Sequence, residues 1–206
     1  EIGSGLVGSE MCIRDRWKNG WPVAGEVFKE GTYEIESERR GYALELAVDF
    51  VRMEYTRHRF WEKDDTPVVP LKPQTLEDVI GTWPQGKINV RISDYMFRPH
   101  QKWTITAVPD GGGYLGGPYY KIVIEGTNRA LAATAGAEIV TVPEFTGAPE
   151  QLWRIDQLTD GTYRIMPKKV PGTDKELVLV SVGDSTPSLG IFDMNSDNSK
   201  WNFRDH

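Results

Sequence analysis

This chain predicts an all-β fold, a β-trefoil of three repeats with a long insertion in the first, on three observations. Tryptophans recur at Gln101-Lys-Trp103, Gln151-Leu-Trp153 and Ser199-Lys-Trp201, spaced by 50 and 48 residues. Two positions after each Trp stands an apolar residue: Ile105, Ile155 and Phe203. Ahead of each Trp lies a Tyr-x-Ile run: Tyr33-Glu-Ile35, Tyr120-Lys-Ile122 and Tyr163-Arg-Ile165. Shared landmarks at a fixed period mark a repeat architecture, in which one unit cannot bury its apolar face alone. Three strand-rich units can bury a common core around a pseudo-threefold axis.

Along the chain, Leu6-Val-Gly-Ser-Glu-Met-Cys-Ile-Arg-Asp-Arg16 resembles the in-frame translation of a sequencing adapter, so residues 1–16 are set aside as an artefact. With them go Cys12, the only cysteine, and Gly3-Ser-Gly5-Leu-Val-Gly8, a dinucleotide-type pattern with no strand before it. Residues 17–30 are expected to end an upstream catalytic domain or to form a linker, and residues 31–206 to form the trefoil. In the first repeat, Gly31–Leu46 reads as strand, turn at Ser37–Gly41 and strand, with Tyr33, Ile35, Leu44 and Leu46 inward. From Tyr to Trp the three repeats span 70, 33 and 38 residues, so the first holds an insertion, placed at about 50–87. The insertion is charged at Arg57–Asp65, proline-rich at Pro67–Pro73, and ends in Gly81-Thr-Trp83-Pro-Gln-Gly86. A helical turn is expected at Thr75–Ile80, with Thr75 as cap and Asp78 three residues on. Asp110-Gly-Gly-Gly113 predicts the hairpin that joins repeat one to repeat two. Repeat three opens at Gly161 and closes on Trp201.

The formal net charge is −6, and acidic and basic residues alternate closely, as at Glu36, Glu38, Arg39 and Arg40. Nucleic acid calls for a basic stripe and an anionic membrane surface for a polybasic segment; neither is present. No apolar run approaches the ~20 residues of a membrane helix. Without Cys12 there is no disulfide and no thiolate nucleophile. His58, His100 and His206 lack metal-ligand spacing. Asp193-Met-Asn195-Ser-Asp197-Asn198 begins like a calcium loop, but Asn198 and Arg204 stand where that loop needs Gly and a bidentate Glu; it reads as an Asx-rich turn. Asp64 and Asp65 are neighbours in a charged loop, whereas glycoside hydrolysis needs two opposed carboxyl groups at a set separation. No catalytic residue, metal or cofactor is expected.

What remains is recognition chemistry. A sugar offers an apolar C–H face to an aromatic ring and a fan of hydroxyls to carboxylates and amides. In repeat one the candidates are Glu45, Asp94, Tyr95, His100 and Gln101. In repeat three they are Phe192, Asp193, Asn195 and Asn198, and repeat two offers only Phe145, Glu150 and Gln151. The competing reading of each polar residue is that it braces a turn beside a core tryptophan.

The two Gln-x-Trp motifs and the Ser-x-Trp variant, with Ala43-Leu44-Glu45-Leu46 and Ala130-Leu131-Ala132-Ala133, resemble the ricin-type β-trefoil lectins of the family 13 carbohydrate-binding module kind. The resemblance covers about Gly31 to His206. In that family an acid in a Leu-Asp-Val-like segment, a later aromatic and an Asn before the Gln form the sugar site. The resemblance places Glu45 and His100 in the acid and Asn positions of repeat one, and Ala132 and Glu150 in repeat two. In repeat three it places Val178 and Asn198 there, with Ser199 for the Gln. Repeats two and three thus lack the acid of the family's galactose-type site.

Trp17-Lys-Asn-Gly-Trp-Pro-Val23 resembles the closing stretch of family 43 glycoside hydrolases, the arabinanases and xylosidases with a five-bladed propeller. Together the resemblances imply an accessory sugar-binding module of a secreted or periplasmic hydrolase acting on arabinan or arabinoxylan. Its partners would be poly- or oligosaccharides and an upstream catalytic domain, with no catalysis in this fragment. Two alternatives stay open. One is a structural trefoil packed on the catalytic domain through Tyr55, Phe60, Trp61 and Trp83, its sugar sites degenerate. The other is a free-standing lectin.

Overall fold

Each repeat supplies four strands, and the tyrosine and tryptophan landmarks are register partners in the barrel they build. The computed structural model of the chain describes residues 28–48, 75–114 and 117–205. The adapter-like stretch, Trp17–Val23, Tyr55, Phe60 and Trp61 lie outside the described residues, as do His58, Asp64, Asp65 and His206. Repeat one contains β1 (Gly31–Ser37), β2 (Ala43–Leu46), β3 (Ile88–Ser93) and β4 (Trp103–Tyr114). Repeat two contains β5 (Gly117–Ile124), β6 (Ala130–Ala133), β7 (Ile139–Val142) and β8 (Trp153–Gln157). Repeat three contains β9 (Tyr163–Pro167), β10 (Val178–Val182), β11 (Thr186–Gly190) and β12 (Trp201–Asp205).

The first and fourth strands close a barrel in the order β1-β4-β5-β8-β9-β12 and back to β1. Tyr33 lies opposite Trp103, Tyr120 opposite Trp153, and Tyr163 opposite Trp201. The second and third strands form three hairpins that cap the barrel. β3 pairs with β7, the Ile92 amide donates to the Ser185 carbonyl at 2.9 Å, and the Leu189 amide to the Ala137 carbonyl at 3.0 Å. Closure leaves the barrel strands no free edge.

The three tryptophans are 0 % exposed. A buried indole N–H must find a partner, and each finds the carbonyl of the second residue in its own repeat's second strand. Trp103 Nε1 donates to Leu44 at 2.8 Å, Trp153 to Leu131 at 2.9 Å and Trp201 to Leu179 at 2.9 Å. Barrel and cap are therefore joined three times by the same bond. Ile35, Leu44, Leu46, Ile105, Ile122, Leu131, Ile165 and Leu179 fill the core between them. Where β1 begins, the Phe28 ring meets Tyr33, Tyr120 and Tyr163 at centroid separations of 5.1, 5.8 and 5.6 Å. Touching all three symmetry-related tyrosines puts Phe28 on the pseudo-threefold axis, and the Tyr120 hydroxyl donates to its carbonyl at 2.9 Å. The trefoil's packing thus starts three residues ahead of Gly31.

The insertion sits in the β2–β3 hairpin; its counterparts in repeats two and three are the short turns 134–138 and 183–185. Its described end carries helix α1 (Leu76–Gly81), opened by the expected capping box. There the Asp78 amide donates to Thr75 Oγ1 at 3.2 Å and the Thr75 amide to Asp78 Oδ2 at 3.1 Å. Trp83 is buried in the core, and Arg129 clamps the following turn by donating to the Gly86 and Pro84 carbonyls at 2.7 and 2.9 Å.

One expectation is corrected. Asp110–Gly113 is not the turn between repeats but part of β4, where the ladder to β5 shifts register between Val108 and Gly113 and resumes at Gly113 opposite Pro118. Glycine suits the bulge rather than a turn. Gly112 holds φ at +90, and a Cβ on Gly113 would lie 2.5 Å from the Gly117 carbonyl oxygen.

Replacing Trp153 by Phe keeps an aromatic ring but a smaller one, and leaves the Leu131 carbonyl without its indole donor. The expected loss is about 1–3 kcal/mol in urea unfolding, the cost of one buried unpaired polar group. A change within about 0.5 kcal/mol, as at an ordinary surface site, would show that the bond does not join cap to barrel.

Candidate functional site

A single 3-10 turn precedes each tryptophan: Pro99–Gln101, Pro149–Gln151 and Asp197–Ser199. The polar residue of the x-Trp motif ends each turn and faces inward. Gln101 Oε1 accepts from the Met96 amide at 2.8 Å, and Gln151 Oε1 from the Thr146 amide at 2.8 Å. Ser199, too short to reach as Gln does, instead donates its hydroxyl to the Asp193 carbonyl at 2.9 Å. In all three repeats the pinned residue directly follows an aromatic: Tyr95, Phe145 or Phe192. The motif's polar residue therefore fixes an aromatic loop. Gln101, expected among the sugar contacts, is enclosed and spends both ends of its amide on this bracing.

The middle residue of each Tyr-x-Ile run stands behind that aromatic. Lys121 Nζ lies 5.4 Å from the Phe145 ring centre and the Arg164 guanidinium 5.0 Å from that of Phe192, both cation–π contacts. Repeat one has Glu34 at this position and Tyr95 as its aromatic. Burial, then the nearby charges of Glu34 and Glu125, push the Tyr95 hydroxyl up to about 12. Tyr95 tilts against Phe97 at 4.8 Å. Phe97 is 72 % exposed and holds φ at +57, a left-handed backbone that a bulky side chain rarely adopts. Gln101 Oε1 accepts from the amides on either side of it, Met96 at 2.8 Å and Arg98 at 3.4 Å. The clamp holds the strained residue with its ring outward. Such strain, overdetermined by its surroundings, concentrates at functional loops.

Glu45 is 1 % exposed. Its Oε2 accepts from Arg91 Nε at 2.8 Å and lies 3.2 Å from His100 Nε2, while Oε1 accepts from Gln101 Nε2 at 2.9 Å. Burial alone would raise its pKa, but the hydrogen bonds from His100, Arg91 and Gln101 outweigh that and hold it below the ordinary glutamate range. Arg91 sits directly opposite Glu45 in the β2–β3 ladder. The enclosed Glu45, His100 and Gln101 thus satisfy one another where sugar hydroxyls were expected. Repeat two carries Ala132 opposite Val140 at the equivalent place, and repeat three carries Val180 opposite Ser188. Val180, not Val178, holds the acid position of repeat three, because Trp201 bonds to the Leu179 carbonyl as Trp103 does to that of Leu44.

The remaining candidates lie at the surface. Asp94, Asp193 and Asn195 are exposed, and Tyr95, Phe192 and Asn198 are half-buried. Repeat three brings its four into one loop: Asp193 Oδ1 accepts from the Asn195 amide at 2.9 Å, and Ser196 Oγ from the Asn198 amide at 3.3 Å. Repeat one places Asp94 and Tyr95 beside Phe97. Sequence reasoning missed Phe97, although its alternation with Tyr95 just ahead of Pro99 was visible. It also missed Arg91 and Arg164, whose signals were pairings across strands. Among the described residues no group of three His, Cys, Asp or Glu could hold a metal ion.

Glu45 makes acid sensitivity predictable. A carboxyl whose folded pKa is depressed contributes stability that is complete above its unfolded value, about 4.3, and is lost as pH falls through the folded value. The melting-temperature gap between the natural chain and Glu45→Gln should therefore be largest near pH 7 and shrink below about pH 4. A gap independent of pH, followed by circular dichroism, would remove Glu45 from the acid transition.

The family described as Ricin-type beta-trefoil lectin domain-like matches residues 99–186, from the first 3-10 turn into β11. No curated protein matches the chain in sequence. Among solved structures the chain is similar to a mosquitocidal holotoxin, with a TM-score of 0.57 and 14 % identity over 87 % of this chain. It spans only 18 % of that toxin's length. The designed threefold-symmetric protein ThreeFoil aligns at 0.55 and 19 % identity, over 85 % of this chain and 99 % of that one. A Polyporus squamosus lectin, bound to a human-type influenza-binding epitope, aligns at 0.55 and 16 %, over 86 % of this chain and 50 % of the lectin. Strand order, register and these likenesses agree: the chain is a β-trefoil, and its stretch from Pro99 to Thr186 matches the ricin-type lectin domain.

Proposed function

We propose that this chain binds saccharides through the aromatic loops ahead of Trp103 and Trp201. The observation that carries the reading is Phe97, an exposed ring held in left-handed backbone by Gln101 on both sides. The equivalent place in repeat two, two residues after Phe145, is left-handed as well but is filled by Gly147, so the turn itself does not call for a bulky ring, whereas a sugar's C–H face can stack on one. In repeat one Tyr95, Phe97 and Asp94 present stacking surface and a carboxylate. In repeat three Phe192, Asp193, Asn195 and Asn198 present the same chemistry. The match to a lectin domain supports carbohydrate as the ligand class.

The finer reading is an accessory module of a secreted or periplasmic family 43-like hydrolase acting on arabinan or arabinoxylan. It is supported by the resemblance of Trp17–Val23 to the end of such enzymes. Weak sites on a tethered module raise the enzyme's effective concentration on its polymer without any catalytic group. A second reading, a structural trefoil with degenerate sugar sites, is favoured by Glu45, whose acid position is closed by Arg91 and His100. The free-standing lectin shares sugar binding with the first reading and differs from it in lacking an upstream catalytic partner.

Affinity electrophoresis in arabinan and arabinoxylan gels separates sugar binding from the structural reading. The chain should be retarded in at least one gel, and Phe97→Ala and Phe192→Ala should each weaken that binding about fivefold or more. An aromatic stack is worth roughly 0.5–1.5 kcal/mol beyond its buried area. Migration of the natural chain unchanged by either polysaccharide would favour the structural module.

A further inference from the structure

A second surface feature lies away from the loops ahead of the tryptophans. The connection between the first and second strands of a repeat is five residues long in repeats one and two, 38–42 and 125–129, and ten in repeat three, 168–177. Length beyond what the fold needs is where surface loops carry function. This loop borders a half-open cavity of about 330 Å³ that is also lined by Tyr119, Arg154 and Met166, with Val170 of the loop itself. Lys168 ties the loop to β4. Its Nζ donates to the Gly111 carbonyl at 2.6 Å and lies 5.2 Å from the Tyr119 ring centre.

The charge here runs against that of the chain. Lys168, Lys169, Lys175 and Arg154 line the cavity, against two acids, Asp174 and Glu176, in a chain of net charge −6. Arg154 is held by Asp156 at 2.7 Å, and Asp156 also serves Arg164 at 2.9 Å. Lys169 and Lys175 are exposed and have no ion pair among the described residues. Two exposed ammonium groups and a pinned third beside an apolar floor suit a ligand with a carboxylate and a C–H face. Asp174 and Glu176 can accept from neighbouring hydroxyls. A duplex nucleic acid, with one charge per ~1.7 Å of axis, would meet repulsion from the acidic remainder of the chain. A single-stranded polymer with one carboxylate per sugar carries less charge per unit length and gathers less of that repulsion.

We propose that this cavity is a second saccharide site, separate from the aromatic loops, that takes a uronate residue of an acidic polysaccharide. The test is affinity electrophoresis of the whole chain in polygalacturonate, neutral arabinan and dextran sulfate, each mobility normalised to a ligand-free gel. Polygalacturonate should retard the chain. The double variant Lys169→Glu/Lys175→Glu, with an unchanged melting temperature, should lose at least tenfold of that affinity while its behaviour in arabinan stays the same. Phe97→Ala and Phe192→Ala should leave the polygalacturonate retardation intact, even if arabinan binds no form of the chain, so the two sites can fail independently. The proposal is overturned if polygalacturonate does not retard the chain or if the charge-reversed variant binds it as before. Equal retardation by dextran sulfate would also overturn it, since charge alone would then be the attraction.

Discussion

The bond from each buried indole N–H to a leucine carbonyl of the cap is the constraint on which the other features rest. It occurs three times within 0.1 Å of the same length, at Trp103, Trp153 and Trp201. The barrel can close only if each fourth strand lies where its Trp faces the Tyr of its own repeat. The cap can sit only where its second strand offers the leucine carbonyl. Because the residue two before each Trp also pins the preceding loop, the surface aromatics inherit their positions from the core. Gln101 joins the two levels directly, touching Glu45 beneath it and the Met96 amide above. A defect in core packing at Trp103 would therefore reach the Phe97 loop without any change in its own residues.

The repeat was legible because its landmarks are the residues with the least freedom to vary. A tryptophan with a buried donor, and the tyrosine opposite it, are hard to replace in any copy. The capping box of Thr75 and Asp78 was legible for a similar reason, being local chemistry at fixed spacing. The glycine run at Asp110–Gly113 misled, because glycine serves a bulge as well as a turn and only the partner strand distinguishes them. The charged residue behind each loop aromatic, a cation in repeats two and three and Glu34 in repeat one, was written in the sequence as the middle letter of Tyr-x-Ile. Nothing local linked Arg164 to Phe192, which lies 28 residues further on. The acid position of repeat three was misplaced by two residues, since without the Leu179 bond nothing sets the register of a β-rich segment.

Repeat one shows how an acid expected to meet sugar can be structural instead. An acid beside an amide is equally suited to sugar hydroxyls and to internal donors. The outcome depends on what the facing strand presents. Arg91 lies opposite Glu45, so the carboxylate is met from within, and His100 and Gln101 complete its shell. Removing one partner from so enclosed a network would leave a buried group unpaired, which costs more than the network gains. The cluster is therefore held by its own desolvation. In repeats two and three Ala132 and Val180 avoid the problem, since an apolar side chain there asks for no partner.

The loops of repeats one and two share a left-handed residue two positions after the aromatic, Phe97 and Gly147, and all three aromatic loops differ in electrostatics. A cation beside Phe145 or Phe192 draws ring electron density toward itself, and it occupies one approach to the ring. A sugar stacking there must use what remains of that surface. Tyr95 has a glutamate nearby instead, leans on Phe97, and passes the exposed face to its neighbour. Equivalent positions on a pseudo-threefold frame thus give unequal sites, with repeat one presenting two rings and repeat three presenting one ring among more amides. The scaffold fixes where a ligand can be met, and the side chain behind each ring decides how.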